Sequence, residues 1–163
     1  MPSFPLAFPL APPPPRAGLP DADPATMTQG ITRGVCRHLA NADHVVLTEF
    51  KLPNRRRADV AALGPDGRLL LVEVKSSLND YRSDDKWPEY LPYCDAFAFA
   101  VAETFPRDIL PPNCGLLIAD PWGAEIVRLM TLPPLAPARR RALTLRFART
   151  AGERLHRLVD PPL

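Results

Sequence analysis

An apolar run of the sequence ends in two charged residues, Glu73 and Lys75. The run begins at Leu69 and follows a turn at residues 64–67 that contains proline and glycine. Its length and apolar content predict a buried central strand. Since alternate side chains of a strand share a face, Glu73 and Lys75 would point the same way, about 7 Å apart. Burying both charges is unfavourable unless each has a partner, so the pattern indicates either a functional site or a strand-edge ion pair.

A second carboxylate, Asp59, lies near the start of the preceding strand-like run, residues 58–63. The four-residue turn predicts that the two runs pair as a hairpin, which would bring Asp59 within roughly 5 Å of Glu73. Two carboxylates this close repel each other unless a cation lies between them. Their oxygens, with the backbone carbonyl of Val74 and solvent, suit Mg²⁺ or Mn²⁺. Lys75 would then lie beside the metal, where it can contact a phosphate or an attacking water.

Further charged residues surround this predicted site in the sequence. Glu49 falls on a strand predicted over residues 44–52, and it is either a third acidic residue of the site or an edge residue that faces water. Three consecutive arginines precede the hairpin, and a lysine follows it on the next predicted helix. Arginine forks match phosphate oxygens, although a solvated turn would also account for them. These candidate nucleic-acid contacts are Arg55, Arg56, Arg57 and Lys86.

The length of 163 residues allows one domain with a substantial core. Nine of the 22 prolines fall within residues 1–24, which predicts a disordered tail over residues 1–26 before a domain over residues 27–159. The tail lacks the basic start and unbroken apolar region of a signal peptide, and we expect no membrane association. The widely spaced Cys36, Cys94 and Cys114 predict reduced thiols in a cytoplasmic protein.

The hydrophobic spacing alternates between helical and strand periods, which predicts an α/β domain. A first helix is expected from Thr28 to near Asn41, and a second from Asp80 or Ser83 through Tyr90. Because the second helix separates the hairpin from the next strand, a parallel crossover is expected there. The predicted strands cover residues 44–52, 58–63, 69–75, 95–101, 115–120 and 124–130.

A third helix, predicted over residues 138–159, carries two contrasting faces. One face is mostly apolar and contains Thr144, Phe147, Ala148, Ala151, Leu155 and Leu158. Arginines on the other face repel each other unless something anionic binds them, so this helix is either a solvated surface helix or a contact for a nucleic-acid backbone. The arginines on that face are Arg139, Arg146, Arg149, Arg154 and Arg157.

The order helix, three strands, helix, strand, with Asp59 on the second strand and Glu73-Val74-Lys75 on the third, resembles the PD-(D/E)XK nuclease superfamily. Several segments are also similar to the MmcB family of bacterial DNA-repair proteins. They extend over roughly residues 27–158, and agreement in so many segments is more specific than any one motif. The similar segments are residues 31–37, 56–60, 72–77, 85–90, 115–120, 138–143 and 146–149.

This resemblance implies a restriction-endonuclease-like αβββαβ core with a mixed central sheet flanked by helices, followed by a hairpin and a basic helix. It implies a metal-dependent DNA nuclease in which Asp59 and Glu73 bind the metal and Lys75 positions or polarises the water. Two departures stand out. Ala58 replaces the proline of the motif's name, and the glutamate that many relatives carry on the first helix is absent. Glu49 is therefore the candidate replacement.

The expected reaction is phosphodiester hydrolysis, in which a bound Mg²⁺ acidifies a water and offsets the charge that develops on the phosphate. The expected partners are damaged or branched DNA, held through its backbone by the arginines, and other repair proteins. Two alternatives remain. One is a catalytically inactive DNA-binding or adaptor module of the same fold, and the other is an RNA-processing nuclease.

Overall fold

A computed structural model describes residues 23–83, 86–130 and 132–161. In the described part of the chain no helix has both the length and the apolar character needed to cross a bilayer. The helices and strands, in chain order, are α1 (Pro24–Asn41), β1 (Val45–Lys51), β2 (Arg57–Leu63), β3 (Leu69–Lys75), α2 (Leu78–Arg82), β4 (Ala96–Val101), β5 (Gly115–Ala119), β6 (Ala124–Arg128) and α3 (Pro137–Val159), with 3₁₀ helices at Trp87–Tyr93 and Arg107–Ile109.

The six strands form one mixed sheet in which every strand neighbours the next strand in sequence. Strands β1, β2 and β3 pair antiparallel, β4 and β5 continue parallel to β3, and β6 returns antiparallel to β5. Both predicted hairpins and the predicted parallel crossover into β4 are confirmed. The molecule is a mixed α/β fold with helices on its sheet, in the predicted order helix, three strands, helix, strand.

Each face of the sheet has its own hydrophobic core. On one face Ile31 and Val35 of α1 pack with the small and branched residues of β2, β3 and β4. On the other face the large side chains Phe97 and Phe99 of β4 pack with residues of the 3₁₀ helix and of α3. Because β3 and β4 are covered on both sides, their sequences are continuous apolar runs rather than alternating ones.

Helix α1 begins at Pro24, four residues before the predicted start. Asp23 caps it, since its carboxylate accepts hydrogen bonds from the backbone N–H groups of Ala25 and Thr26. The hydroxyl of Thr28, predicted as the cap, instead donates to the Pro24 carbonyl within the helix. Residues 24–26 are therefore helical rather than part of a tail, and residues 1–22 of the predicted tail lie outside the described residues.

The helix predicted from Asp80 or Ser83 through Tyr90 is two short elements. Ser77 caps the five-residue α2, and a 3₁₀ helix follows at Trp87–Tyr93. Prolines 88 and 92 lack the N–H group that a continuous α-helix requires, which explains the 3₁₀ form. Asp84 and Asp85 lie outside the described residues.

Helix α3 docks through its N-terminal half. Leu143 and Phe147 are buried, but the predicted apolar face fails beyond them, because Leu155 and Leu158 are 63% and 82% exposed. A buried ion pair fixes the start of the helix: Arg140 donates two hydrogen bonds, of 2.6 and 2.9 Å, to the carboxylate of Asp95. Burial raises the pKa of Asp95, but this pair and the backbone N–H groups that also bind the carboxylate outweigh burial and hold the pKa below its usual range.

Candidate metal and nucleic-acid site

An open cleft of about 630 Å³ lies at the end of the sheet where β2 and β3 separate. The two strands pair from Leu63 with Leu69 to Val60 with Val72, and β3 then continues alongside β4 to Lys75. One further step in the same register places Asp59 opposite Glu73. Both carboxylates, together with Lys75, line the cleft, so the three residues that the sequence predicts as a site are brought together.

The carboxylate of Asp59 occupies the gap between the separating strands. Its Oδ2 accepts a hydrogen bond of 2.7 Å from the backbone N–H of Val74, in place of a strand partner. Burial raises the pKa of Asp59, and the negative charges of Glu49 and Asp80 raise it further, while the Val74 N–H and the Lys75 ammonium oppose the shift. A cation bound in the cleft would favour the ionised form.

Glu73 and Lys75 are both buried, and their side chains contact each other at the cleft. Lys75 Nζ lies 3.4 Å from Glu73 Oε1, with side chains only 4% and 8% exposed. The sequence left two interpretations open, an ion pair and a functional site. The geometry is compatible with both, because the two side chains contact each other and both residues line the cleft. A buried lysine that lies on the wall of an open cleft can present its charge to an anionic ligand.

The cleft offers oxygen ligands of the kind that Mg²⁺ and Mn²⁺ prefer, but few of them. Among the described residues no group of three or more His, Cys, Asp or Glu side chains is arranged to hold a metal ion. A cation here would be bound by Asp59, Glu73, the carbonyl of Val74 and water. This set fits Mg²⁺, which keeps several waters and commonly takes only one or two carboxylates from a protein.

Glu49 does not line the cleft. It is exposed, has a positive φ of 51°, and pairs with Arg57 at 2.5 Å. Its charge acts on Asp59 from outside, so its predicted place as the third acid of the site is not supported by the geometry.

Asp80, predicted from the sequence only as a helix cap, lines the cleft. Its Oδ1 is 4.0 Å from Lys75 Nζ, and its Oδ2 accepts a hydrogen bond from the Ser76 N–H. The Ser77 hydroxyl accepts from the Asp80 N–H. The signal in the sequence was the capping-box spacing Ser77-x-x-Asp80 directly after Lys75.

The three consecutive arginines all border the cleft, but two of them are engaged by acidic residues. Arg56 forms a bidentate pair with Glu89, with distances of 2.6 and 2.7 Å, and Arg57 pairs with Glu49. Within the described residues no ion pair involves Arg55, which is exposed and has a φ of 68°. Arg55 is therefore the best-placed of these arginines for a phosphate, and Lys86 also lines the cleft.

The arginines of α3 lie away from the cleft, and several of them bind the protein itself. Arg154 donates to the carbonyls of Thr48 and Glu49, at 2.6 and 3.0 Å. Arg139 donates to the Pro92 carbonyl and lies over the ring of Tyr93, and Arg146 approaches the Lys51 carbonyl at 3.5 Å. Backbone carbonyls thus bind several of the arginine side chains for which the sequence suggested only solvent or nucleic acid as partners. Arg149 and Arg157 remain at the surface.

Comparison with known proteins identifies the family. A family model for MmcB-like DNA repair proteins matches residues 16–162. The chain belongs to the MmcB-like DNA repair protein family. Family membership indicates a role in DNA repair that involves interaction with DNA, and it confirms the resemblance to MmcB found in the sequence.

A solved structure supports the fold. It is described as a protein of unknown function from Silicibacter pomeroyi, with which this MmcB-like chain shares 45% identity and a TM-score of 0.80. The match covers 86% of this chain and 94% of the other. No curated protein matches the chain.

Proposed function

We propose that this MmcB-like protein is a divalent-metal-dependent DNA endonuclease with a restriction-endonuclease-like fold of the PD-(D/E)XK superfamily. The observation that supports this most directly is the placement of Asp59, Glu73 and Lys75 on one cleft wall, where β2 and β3 separate. Buried charges at the end of a sheet contribute little to stability. A binding or catalytic role accounts for them better than packing does.

Phosphodiester hydrolysis requires an activated water and stabilisation of the negative charge that develops on the phosphate. Mg²⁺ or Mn²⁺, when bound by Asp59, Glu73 and the Val74 carbonyl, supplies a water of lowered pKa and offsets that charge. The ammonium of Lys75, held near Glu73, adds positive charge at the same wall. At the cleft border Arg55 and Lys86 bind neighbouring phosphates and position the strand, without reading its sequence.

The proposed setting is a cytoplasmic repair reaction on damaged or branched DNA, with other repair proteins as partners. The three cysteines are free thiols, as a reducing compartment allows. Burial raises the pKa of Cys94 to about 12 and that of Cys114 to about 11, so both remain protonated and unreactive at neutral pH.

A nuclease assay tests this function. Purified protein is incubated with branched, nicked and single-stranded DNA in Mg²⁺ or Mn²⁺, and we expect cleavage that Glu73→Gln and Lys75→Met abolish. Glu125→Gln, at an exposed position on β6, is the matched control and should cleave normally. Absence of cleavage by the wild-type protein on every substrate would reject the nuclease. Stronger cleavage of RNA would instead indicate an RNA-processing enzyme.

A DNA-binding or adaptor module of the same fold is the second candidate. The small number of acidic ligands among the described residues, and the contact between Lys75 and Glu73, favour it. Both candidates require DNA binding that weakens with salt. They differ in metal affinity, which calorimetric titration with Mn²⁺ measures: binding that Asp59→Asn removes supports the nuclease, and no binding supports the adaptor.

A further inference from the structure

Trp122 is a large aromatic residue that is not packed in either hydrophobic core. It lies in the turn between β5 and β6 with 71% of its surface exposed. The turn itself is well ordered by hydrogen bonds, because Asp120 Oδ1 accepts from the backbone N–H groups of both Trp122 and Gly123, at 2.8 and 2.9 Å. A firmly held backbone therefore presents an indole ring to solvent.

This turn packs against the middle of α1. A Cβ on Gly34 would lie only 1.8 Å from the Asp120 carbonyl oxygen, and one on Gly30 would lie 3.0 Å from Pro121 Cγ. The same helix borders the cleft through Ala25 and Thr28. Gly34 lies six residues beyond Thr28, so at 1.5 Å per residue the turn contacts α1 about 9 Å along the helix from the cleft.

The exposed surface of α1 beside this turn is positively charged. Arg33 directly precedes Gly34, and Arg37 follows one helical turn later; both are exposed. Exposed arginines and an exposed aromatic ring on two elements that pack together are a combination by which proteins bind single-stranded nucleic acid, with arginines on phosphates and the ring stacked on a base.

We propose that Trp122 stacks on an unpaired base of single-stranded DNA, while Arg33 contacts the adjoining phosphate. This subsite rests on the DNA-binding part of the proposed function and assigns it a strand with accessible bases. The exposed Val127 and Leu129, on β6 and just beyond it, would suit a protein partner, but the exposed arginines of the helix on which the turn packs favour a polyanion.

Binding without cleavage tests the subsite. A labelled single-stranded oligonucleotide of about 12 nucleotides and a blunt duplex of the same sequence are titrated in EDTA, with fluorescence anisotropy as the readout. We expect Trp122→Ala to weaken single-strand binding about 5- to 100-fold, the loss typical of one base stack, and to change duplex binding less than about twofold. Trp122→Phe should retain most of the affinity, and Leu155→Ala, at another exposed apolar side chain, should bind as the wild type does.

Tryptophan fluorescence gives a second readout in the same titration. Trp87 is half-buried and stacks on Phe97, so most of the quenching on binding should come from the exposed Trp122 and be lost in Trp122→Phe.

Two results would overturn the proposal. One is equal affinity of wild type and Trp122→Ala for the single strand, which would leave a protein partner as the ligand of this surface. The other is an equal loss on single strand and duplex. Because EDTA removes any metal requirement, the outcome is independent of the nuclease assay: cleavage with no effect of Trp122→Ala would reject the subsite alone, and a Trp122 effect without any cleavage would reject the nuclease alone.

Discussion

At the scale of single residues, Asp59 lies where it is costly to ionise. Burial raises its pKa, so between the pKa of the unfolded chain and that of the native state the native protein binds more protons. Stability contributed by this group therefore falls as pH rises through that window, and at neutral pH its charge opposes folding. Residues held in this way are typical of functional sites, where stability is sacrificed for activity.

We therefore predict that Asp59→Asn stabilises the metal-free protein. The amide oxygen can still accept the Val74 N–H, and the unfavourable charge is gone, so we expect a gain of about 1 kcal/mol in the free energy of unfolding at pH 7. The gain should vanish near pH 3, where the aspartic acid is protonated in both states. Urea unfolding at the two pH values measures it, with Asp108→Asn at an exposed position as control. A loss of stability at pH 7 would contradict the prediction.

At the scale of elements, α1 approaches the β5–β6 turn more closely than any side chain permits. We predict that Gly34→Ala destabilises the protein by about 3 kcal/mol, because its Cβ would overlap the carbonyls of Asp120 and Gly123. Gly152 in α3 is the matched control, since a Cβ there meets nothing within 4 Å. Gly152→Ala should stabilise by about 0.5–1 kcal/mol. Thermal unfolding compares the two, and a similar effect at both positions would disprove the close packing of α1.

The docking of α3 depends on the buried ion pair between Arg140 and Asp95. We predict that Arg140→Ala destabilises by about 3 kcal/mol, because it leaves a buried carboxylate without its charged partner. Since hydrogen bonds hold the pKa of Asp95 below its usual range, this stabilisation is present above the unfolded-state pKa and is lost as pH falls through the native one. Urea unfolding at pH 7 and pH 3 should show the variant converging on the wild type in acid. Arg141→Ala, at an exposed neighbour, should change little.

Periodicity predicted the strands well and the helix ends less well. The β3 and β4 runs are apolar throughout because both faces are covered, and that signal is local. The start of α1 depends on the Asp23 cap, within the proline-rich region that composition assigned to a tail. Leu155 and Leu158 follow the helical period but are exposed, and no local pattern reveals which turns of a helix are covered by a neighbouring layer.

At the scale of the whole molecule, positive charge is divided between the cleft and α3. We predict that Arg55→Gln weakens DNA binding and reduces the slope of log K against log salt by about 1, as expected for one lost phosphate contact. Arg154→Gln should change this slope little, because its guanidinium binds the carbonyls of Thr48 and Glu49. Anisotropy titrations between about 50 and 200 mM salt compare the two variants with the wild type. Equal slopes for both variants and wild type would remove Arg55 from the interface.

The sequence sufficed to group the main candidate residues, because strand alternation and one tight turn place Asp59, Glu73 and Lys75 together. It could not rank the arginines, since whether Arg56 or Arg57 is available depends on Glu89 and Glu49, of which Glu89 lies more than 30 residues away. It also could not show that Glu49 has a positive φ and pairs with Arg57 outside the cleft.

The sequential order of the strands bears on how the protein forms during synthesis. Strands β1, β2 and β3 can pair as soon as they leave the ribosome, because each needs only its predecessor. Glu73 and Lys75, however, lie beyond the residues of β3 that pair with β2, and they acquire a neighbouring strand only when β4 emerges. In a nascent chain stalled before Ala96, the side chains of Glu73 and Lys75 would therefore be solvated. The two charges would become buried at the cleft only after β4 has been translated and has paired with β3.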